Sequence, residues 1–338
     1  MQRMNQQGTT RRTMLRAGAA AGTAAALGGA GIFAAGTASA AATAGSRTGG
    51  LPYPSGVTDT SHCTPEAAAI FRGVFTAKSE HDAAGFMSYF SPANTIYIDA
   101  CLGATLSGWA AANDFFTPYF ASLPPAAIAY PLRIVGDTRS AVIEFVDTPA
   151  FFGFEIRTLS SVTFDGNRKI SRWVDYWDGR SSLKQNSITS AYPADFSDSE
   201  QNADPAAAQA ARAVQAAFAA GDAAAAVALM SDDVIHEDMA AHSRVRGQLQ
   251  AQRYYTRALG QLPYGPGAAL VHADGSRQGG GYEWSAAPAA APMRRGHTCL
   301  ELDQAGKISR LTAVYDSSIL SYAAYQSLAG LAAEAPLS

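Results

Sequence analysis

The chain contains the stretch DGNRKISRWVDYWD at residues 165–178 and a related stretch, DQAGKISRLTAVYD, at residues 303–316. In both, a turn sequence precedes Lys-Ile-Ser-Arg, a strand-like run follows, and the last residue is aspartate. The two copies lie 138 residues apart, with Lys169 matching Lys307. This internal match decides the fold, because it indicates one structural unit that is present twice.

The match continues towards the N-terminus at a spacing of 139 residues. It pairs Asp99 with Asp238, and Gly108 with Gly247. A unit of about 140 residues is a duplicated domain, because solenoid repeats span about 20 to 50 residues. We therefore predict two tandem domains, at residues 58–190 and 204–335, joined by a polar linker at residues 191–203.

Each copy has the same predicted order of elements. A helix with apolar residues at helical spacing covers residues 65–79 or 205–219, and a short helix and a strand follow. A third helix begins after Gly108 or Gly247, and three β-rich segments complete the copy. Helices followed by a meandering sheet predict the α+β class. We expect three helices packed on a curved, mixed or antiparallel sheet in each domain.

The first 40 residues have the pattern of an export signal. They contain four arginines, including the Arg11-Arg12 pair, and no acidic residue. An Ala/Gly-rich stretch and Ala38-Ser39-Ala40 follow, so the segment resembles a twin-arginine signal. An uncleaved membrane anchor is the alternative, although Ala and Gly contribute little to insertion. We expect a secreted or extracytoplasmic protein without stable membrane insertion, with a disordered lead-in at residues 41–57.

Composition limits the remaining possibilities. With 48% hydrophobic and 16% charged residues, the chain is globular. Removal of the signal leaves 21 basic against 28 acidic residues, a net charge of −7 that repels nucleic acid. Cys63, Cys101 and Cys299 share no metal-ligand spacing, so neither a metal nor another cofactor is predicted. A Cys63–Cys101 disulfide and three separate buried thiols both stay open.

Three features together resemble a known superfamily. Asp99 stands nine residues before Gly108, an aromatic pair follows on the third helix, and Lys-Ile-Ser-Arg leads into an aromatic last strand. This order resembles the nuclear transport factor 2-like (NTF2-like) superfamily, and within it the SnoaL-like polyketide cyclases and ketosteroid isomerases. The resemblance covers nearly all of residues 58–335. It implies a cone-shaped α+β barrel in each domain, with a pocket inside the cone.

The resemblance also implies a role for the aspartate of the first strand. In ketosteroid isomerases this residue moves the proton, and it falls on Asp99 and Asp238. A carboxylate in an apolar cone is desolvated, which raises its pKa and suits it to proton transfer near neutral pH. The oxyanion partners of that family do not carry over, because Val74 and Ser160 occupy their positions in the first copy. Steroid isomerisation is therefore not expected.

Strand alternation places a second acid in the first cone. Tyr97 and Asp99 share one strand face, and Trp173, Asp175 and Trp177 share one face of the last strand. Two carboxylates in one low-dielectric pocket split their pKa values into those of an acid and a base. We therefore predict that the first domain is the better catalytic candidate, with Asp99 and Asp175 as its base and acid.

Structural interpretations of the same acids remain open. Asp175 can accept a hydrogen bond from an indole N–H, and Asp99 and Asp238 can cap the loop that follows each of them. In the second copy His236 shares a strand face with Asp238, so it either exchanges a proton with that carboxylate or is a satisfied core histidine.

Further side chains are predicted to contact a ligand. They are aromatic rings or hydroxyl groups in the predicted cones: Tyr97, Trp109, Phe116, Ser160, Trp173, Trp177 and Tyr315. The rings either pack the core or line a cavity for a flat apolar molecule. Gly279-Gly280-Gly281 removes bulk from the second copy and predicts a looser pocket or a mainly structural domain. His297 falls on the opposite strand face, and Arg172 and Arg310 are expected to form ion pairs with Asp178 and Asp316.

Two functions are consistent with these residues. One is a cofactor-independent isomerase or cyclase that acts on a small polyketide-, terpenoid- or steroid-like molecule. The other is a non-catalytic protein that binds such a molecule. Because single-domain relatives pair through their sheets, the resemblance also implies that the two copies pair within one chain, which gives a monomer with a pseudo-two-fold axis.

Overall fold

The computed structural model describes residues 50–182 and 203–333. The predicted export signal, residues 41–49 of the lead-in and residues 191–202 of the linker lie outside these ranges. The two described ranges form two domains, each with a mixed β-sheet and helices on one of its faces.

The first domain contains a seven-stranded sheet with strand order β1-β4-β5-β6-β7-β2-β3. Its strands are β1 (Asp59–Cys63), β2 (Ile96–Asp99), β3 (Ala104–Ser107), β4 (Ala129–Gly136), β5 (Ser140–Asp147), β6 (Ile156–Phe164) and β7 (Ile170–Trp177). Its helices are α1 (Pro65–Ser79), α2 (Ala83–Met87), α3 (Trp109–Ala121) and the short α4 (Pro149–Phe152). β1 and β4 are parallel, as are β2 and β7, and the other neighbours are antiparallel.

Within residues 203–333, the second domain repeats this order without a counterpart of β1. Its six-stranded sheet has the order β10-β11-β12-β13-β8-β9. The strands are β8 (Met230–Asp238), β9 (Ser243–Arg246), β10 (Ala269–Ser276), β11 (Gly279–Ser285), β12 (Arg295–Leu302) and β13 (Ile308–Val314). The helices are α5 (Pro205–Ala219), α6 (Ala223–Ala228), α7 (Gln248–Ala258) and a C-terminal α8 (Tyr322–Gly330). The predicted α+β class with three helices before the main sheet is therefore confirmed.

Local sequence sets the ends of these helices. Thr64 precedes Pro65, and its hydroxyl accepts a hydrogen bond from the Ala67 N–H at the start of α1. Asp82 caps α2 in the same way through the Gly85 N–H, at 2.9 Å. The third helix of each domain begins after a glycine with positive φ, 90° at Gly108 and 87° at Gly247. Residues other than glycine rarely adopt this backbone conformation, which explains why glycine occurs at both positions.

Tyr53 packs against the first domain, although we expected it to belong to a disordered lead-in. The Tyr53 side chain is buried and its ring stacks on Tyr130, with 6.4 Å between centroids. The adjacent β1 extends the edge of the sheet by pairing with β4. No alternation of polar and apolar residues indicates this strand in advance, because Asp59–Cys63 contains only one buried residue.

Helices and sheet enclose an apolar core in each domain, and we call these interiors the first cone and the second cone. The buried rings of the first cone are those of phenylalanine and tryptophan: Phe71, Phe75, Phe86, Phe90, Phe116, Phe120, Phe145 and Trp173. Tyrosines and a tryptophan fill the second cone: Tyr254, Tyr255, Tyr264, Tyr282, Tyr315 and Trp284. The same fold therefore encloses interiors of different polarity.

The faces of the two sheets that point away from the cones pack against each other. Val135, Val142 and Val174 of the first domain share an apolar cluster with Cys299 and Val314 of the second. Because this cluster is buried, the contact removes apolar surface of both sheets from water.

Two hydrogen bonds at the ends of the last strands are reciprocal. Asp178 accepts a hydrogen bond from the Ser317 N–H at 2.9 Å, and Asp316 accepts one from the Gly179 N–H at 3.0 Å. Asp178 matches Asp316 in the repeat, so equivalent residues make equivalent contacts across the boundary. Such reciprocity is the pattern of a two-fold interface.

The ion pairs that we expected for Arg172 and Arg310 are different in the structure. Arg172 Nη1 lies 2.6 Å from Glu283 Oε1, and Arg310 Nη2 lies 2.9 Å from Glu237. The predicted partners of these arginines instead accept backbone hydrogen bonds at the domain boundary. Because a carboxylate at the end of a strand is close to free N–H groups of the next turn, it is satisfied without an arginine.

The glycine triplet in β11 lies at the domain boundary and not in a loose pocket. A Cβ atom on Gly279 would lie 3.0 Å from Val135 Cγ1, and one on Gly281 would lie 2.7 Å from Val142 Cγ2. Because these glycines have no side chains, the two sheets can approach each other closely. The second cone is filled by tyrosines instead.

The structure decides between the two alternatives left open for the cysteines. Cys63, Cys101 and Cys299 are three separate buried thiols, and the Cys101 Sγ donates a hydrogen bond to the Trp177 carbonyl at 2.6 Å. Among the described residues, no helix combines the length and the hydropathy needed to cross a membrane.

The backbone conformation at Gly108 provides a test of this account. No atom lies within 4 Å of a Cβ placed on Gly108, so Gly108→Ala strains only the backbone. We expect a loss of about 1–3 kcal/mol in the free energy of unfolding, measured by urea titration. Gly166 has equally open surroundings and no positive φ, so the control Gly166→Ala should have no destabilising effect. Equal losses for both variants would contradict the account.

Candidate functional site

Three strands meet at Asp175 in the first cone. β2 runs beside β7 with Asp99 opposite Asp175 and Tyr97 opposite Trp173. On the other side of β7, Ser160 of β6 lies opposite Asp175. Because side chains at directly opposed positions share one face of a sheet, these residues all point into the cone.

The Asp175 carboxylate accepts three side-chain hydrogen bonds. Tyr97 donates its hydroxyl to Oδ2 at 2.5 Å, while Ser160 donates to Oδ1 at 2.5 Å and the Trp173 indole donates to Oδ1 at 2.6 Å. Burial raises the pKa of Asp175. The three hydrogen bonds and the positive charge of the nearby Lys78 ammonium lower it again, but they offset only part of the effect of burial. Burial and the two carboxylates raise the pKa of Tyr97 well above its usual value. The Tyr97 hydroxyl therefore keeps its proton near neutral pH.

Tyr97 is the member of this cluster that solvent reaches. Its side chain is only half-buried, whereas Asp175 is 6% and Trp173 is 3% exposed. The Phe116 ring packs edge-on against the Tyr97 ring, with 5.1 Å between centroids. Tyr97 is therefore the least buried residue of the Asp175 cluster.

Asp99 has a different environment from Asp175, although the two are neighbours in the sheet. Its Oδ1 accepts hydrogen bonds from the backbone N–H groups of Cys101 at 3.1 Å and Leu102 at 2.9 Å. The Trp177 indole donates to the same carboxylate at 3.1 Å. The sequence left two roles open for Asp99, a catalytic base and a cap of the following loop. In the structure Asp99 makes the contacts of a loop cap.

An ion pair missed by the sequence analysis lies close to Asp175. Lys78 of α1 contacts Asp147 of β5 at 2.6 Å, and its ammonium lies 4.6 Å from the centre of the Phe145 ring and 5.4 Å from that of Phe151. The ammonium also acts electrostatically on Asp175. A signal for it was present, because Lys78 follows Phe71, Val74 and Phe75 on the apolar stripe of α1 at positions i+7, i+4 and i+3.

Trp109 contributes to the fold near the first cone and not to the Asp175 cluster. Its indole donates a hydrogen bond to the Met87 carbonyl at 3.1 Å, which fixes the start of α3 against the end of α2. The ring is half-buried at the surface of the core.

The second cone places its acid among tyrosines. Asp238 accepts hydrogen bonds from the Ala241 N–H at 2.8 Å and the Tyr264 hydroxyl at 3.0 Å, and burial raises its pKa to about 6. The Tyr315 hydroxyl also interacts with this carboxylate, without forming a well-aligned hydrogen bond. Asp238 therefore resembles Asp99 in capping the next loop.

His236 does not form the predicted pair with Asp238. Its Nδ1 makes a 2.9 Å hydrogen bond with the Tyr255 hydroxyl, and its ring lies on Tyr254 with 4.9 Å between centroids. Burial lowers the pKa of His236 to about 3, so the imidazole is neutral near pH 7. Because these side chains are at most 1% exposed, the second cone is filled and closed to solvent.

Comparisons with known proteins concern the fold. No family model matches the chain, and no curated protein matches it. Solved structures do match, and each covers about a third of the chain. A SnoaL-like polyketide cyclase from Shewanella denitrificans has 15% identity and a TM-score of 0.30, and covers 36% of this chain and 96% of its own. An NTF-2-like protein from Burkholderia xenovorans has 24% identity and a TM-score of 0.28, and covers 33% and 84%.

A third match is a Mycobacterium tuberculosis protein in complex with estradiol-17beta-hemisuccinate. It has 14% identity and a TM-score of 0.29, and covers 34% of this chain and 95% of its own. Similarity at this level does not indicate which molecule the present chain binds. The element order, the strand order and the duplicated helix-first arrangement come from the structure itself.

Both domains share a helix-first α+β fold in which a mixed sheet and its helices enclose the cone. They differ at equivalent positions, since Tyr97 of the first domain is half-buried and His236 of the second is fully buried. Sequence reasoning missed Lys78, Asp147 and Tyr264. The tyrosine lies in a loop between α7 and β10, where no periodicity indicates the direction of a side chain.

The raised pKa of Asp238 predicts a pH dependence of stability. An acid whose pKa rises on folding, here from 3.8 to about 6, binds more protons in the native state, so stability falls as pH rises through this range. The shift corresponds to a loss of up to about 3 kcal/mol, which Asp238→Asn should avoid. Urea unfolding at pH 4.5 and 7.5 should show the Asn variant gaining stability relative to wild type at the higher pH. A constant difference would contradict the assignment.

Proposed function

We propose that the first domain binds a small, largely apolar molecule and moves a proton on it without a cofactor, as an isomerase or cyclase does. The observation that carries this proposal is the 2.5 Å hydrogen bond between the buried Asp175 and the less buried Tyr97 in the first cone. The aromatic walls supply the apolar contact, and the Tyr97 hydroxyl supplies one polar contact.

The pair suits proton transfer in both directions. A proton that leaves the ligand passes to the Tyr97 oxygen while the Tyr97 hydroxyl proton passes to Asp175. The reverse movement returns a proton to another atom of the ligand, so the protein is unchanged after the cycle. Ser160 and Trp173 hold the carboxylate in place, and the desolvation that raises its pKa brings its proton affinity closer to that needed near neutral pH.

The ligand should carry a carbonyl or hydroxyl group on a flat apolar frame. Tyr97 offers a single hydroxyl, and the rings of Phe116 and Trp177 flank the polar cluster. The polyketide-, terpenoid- and steroid-like classes all meet this requirement.

A non-catalytic binding role is the second candidate, and one observation favours it. Both carboxylates of the first cone are fully engaged: Asp99 with two backbone N–H groups and an indole, and Asp175 with three side-chain donors. In a binding protein, carboxylates held in this way would fix the shape of the pocket without taking part in proton transfer.

Matched variants separate the two roles. Binding is measured by fluorescence titration with 1-anilinonaphthalene-8-sulfonate, and proton transfer by NMR of hydrogen–deuterium exchange on a panel of cyclic diketones. Tyr97→Phe keeps the ring, so we expect probe binding within about threefold of wild type, whereas exchange falls by about 100-fold or more. Asp175→Asn should have the same effect on exchange.

Tyr264→Phe makes the same change in the second cone and is the control, which should leave both readouts unchanged. Probe binding by the wild type without any exchange would contradict catalysis and leave the binding role. Absence of probe binding would contradict both roles.

We also propose that the chain is exported by the twin-arginine pathway, on the support of Arg11-Arg12 and Ala38-Ser39-Ala40 in the sequence. Mass spectrometry of protein recovered outside the cytoplasm should then give a chain that begins at Ala41. A chain that retains residues 1–40 would contradict cleavage.

The paired sheets support a further proposal about assembly, namely that the chain is a monomer in which the two domains take the place of two subunits. The reciprocal contacts of Asp178 and Asp316 occupy the surfaces through which a second copy would otherwise pair. Light scattering should give a mass close to that of one chain, and twice this mass would contradict the proposal.

A further inference from the structure

Four potential metal ligands lie together on the buried outer face of the second sheet, outside both cones. His272, Glu283 and His297 stand side by side on β10, β11 and β12, because His272 is opposite Glu283 and Glu283 is opposite His297. Asp274 follows His272 by two positions and therefore shares its face. All four side chains are at most 1% exposed.

The potential ligand atoms of three of these residues are close enough to bind one ion. The nitrogen and carboxylate atoms of His272, Asp274 and Glu283 lie within 4.8 Å of one another. A Cβ on Gly281 would lie 2.8 Å from Cε1 of His297, so this ring lies over the glycine. Gly281 is directly opposite Asp274, so the His297 ring lies next to the position of Asp274 in the sheet.

Unused nitrogen atoms point to a missing partner. Both ring nitrogens of His297 and Nδ1 of His272 have no hydrogen-bond partner among the described residues. A buried imidazole without any partner is costly, whereas a neutral imidazole is a common metal ligand.

The first domain supplies groups that would orient these ligands. Ser161 donates a short hydrogen bond to Asp274, and Thr163 donates to the same carboxylate at 3.4 Å. Tyr176 donates to Glu283 Oε2 at 2.9 Å, and Arg172 lies 2.6 Å from Glu283 Oε1. Metal-binding carboxylates usually have such outer hydrogen bonds. Here they would come from one domain and the ligands from the other.

We propose that His272, Asp274, Glu283 and His297 bind one divalent transition-metal ion, with zinc as the best match, which fastens the second domain to the first. Two imidazoles and two carboxylates form a suitable donor set for zinc. Because the first domain covers the cluster, no side remains open for a substrate, and the site is structural. This inference does not depend on the proposed function of the first cone.

The test uses the full chain without a histidine tag. After dialysis against a chelator, zinc sulfate is titrated at pH 7.5, with the bound metal measured by plasma mass spectrometry and the melting temperature by circular dichroism. We expect one zinc per chain and a rise of several degrees in melting temperature at saturation. No bound zinc, or no change in melting temperature, would overturn the proposal.

Variants locate the ion. His272→Gln and His297→Gln should each weaken zinc binding by about 10-fold or more while leaving the melting temperature of the metal-free protein within a few degrees. His242 is exposed in the same domain, so His242→Gln is the control and should bind zinc normally. Undiminished zinc binding by the His272→Gln/His297→Gln double variant would place the metal elsewhere and overturn the proposal.

Discussion

The structure depends on the contact between the outer faces of the two sheets. Each sheet has one face on its helices and needs a partner for the other, and the duplicated chain supplies that partner itself. Val135 and Val142 approach β11 because Gly279 and Gly281 have no side chains. The charged residues that this contact buries, such as Arg172 and Glu283, are paired across the boundary. An unpaired charge in that position would cost several kcal/mol, as a rough measure.

The cones lie on the other faces of the two sheets, and their interiors have diverged. Phe116 in the first cone corresponds to Tyr255 in the second, where the extra hydroxyl bonds to His236. Asp99 and Asp238, which occupy equivalent positions, both accept hydrogen bonds from backbone N–H groups of the following loop. The repeated aspartate is therefore explained by the loop. The acid that distinguishes the first cone is Asp175, whose place in the second copy is taken by Ala313.

Much of this organisation could be predicted from the sequence, because periodicity and repetition are local signals. Pro65–Ser79 and Pro205–Ala219 are helices with the predicted ends, since proline and a capping residue mark each start. Strand alternation also placed Trp173, Asp175 and Trp177 on one face. The sequence could not predict which hydrogen-bond and ion-pair partners these side chains have in the folded protein. The loop contacts of Asp99, the arginine pairs across the domains and the position of Tyr264 depend on tertiary packing and have no sequence period.

The central claim is that the first cone is the working site and the second is a filled structural counterpart. The most direct measurement is a crystal structure of the chain with bound 1-anilinonaphthalene-8-sulfonate. The account predicts one probe molecule in the first cone, in contact with Tyr97, and an unchanged tyrosine cluster around Asp238. A probe that displaces those tyrosines, or that occupies only the second cone, would contradict it.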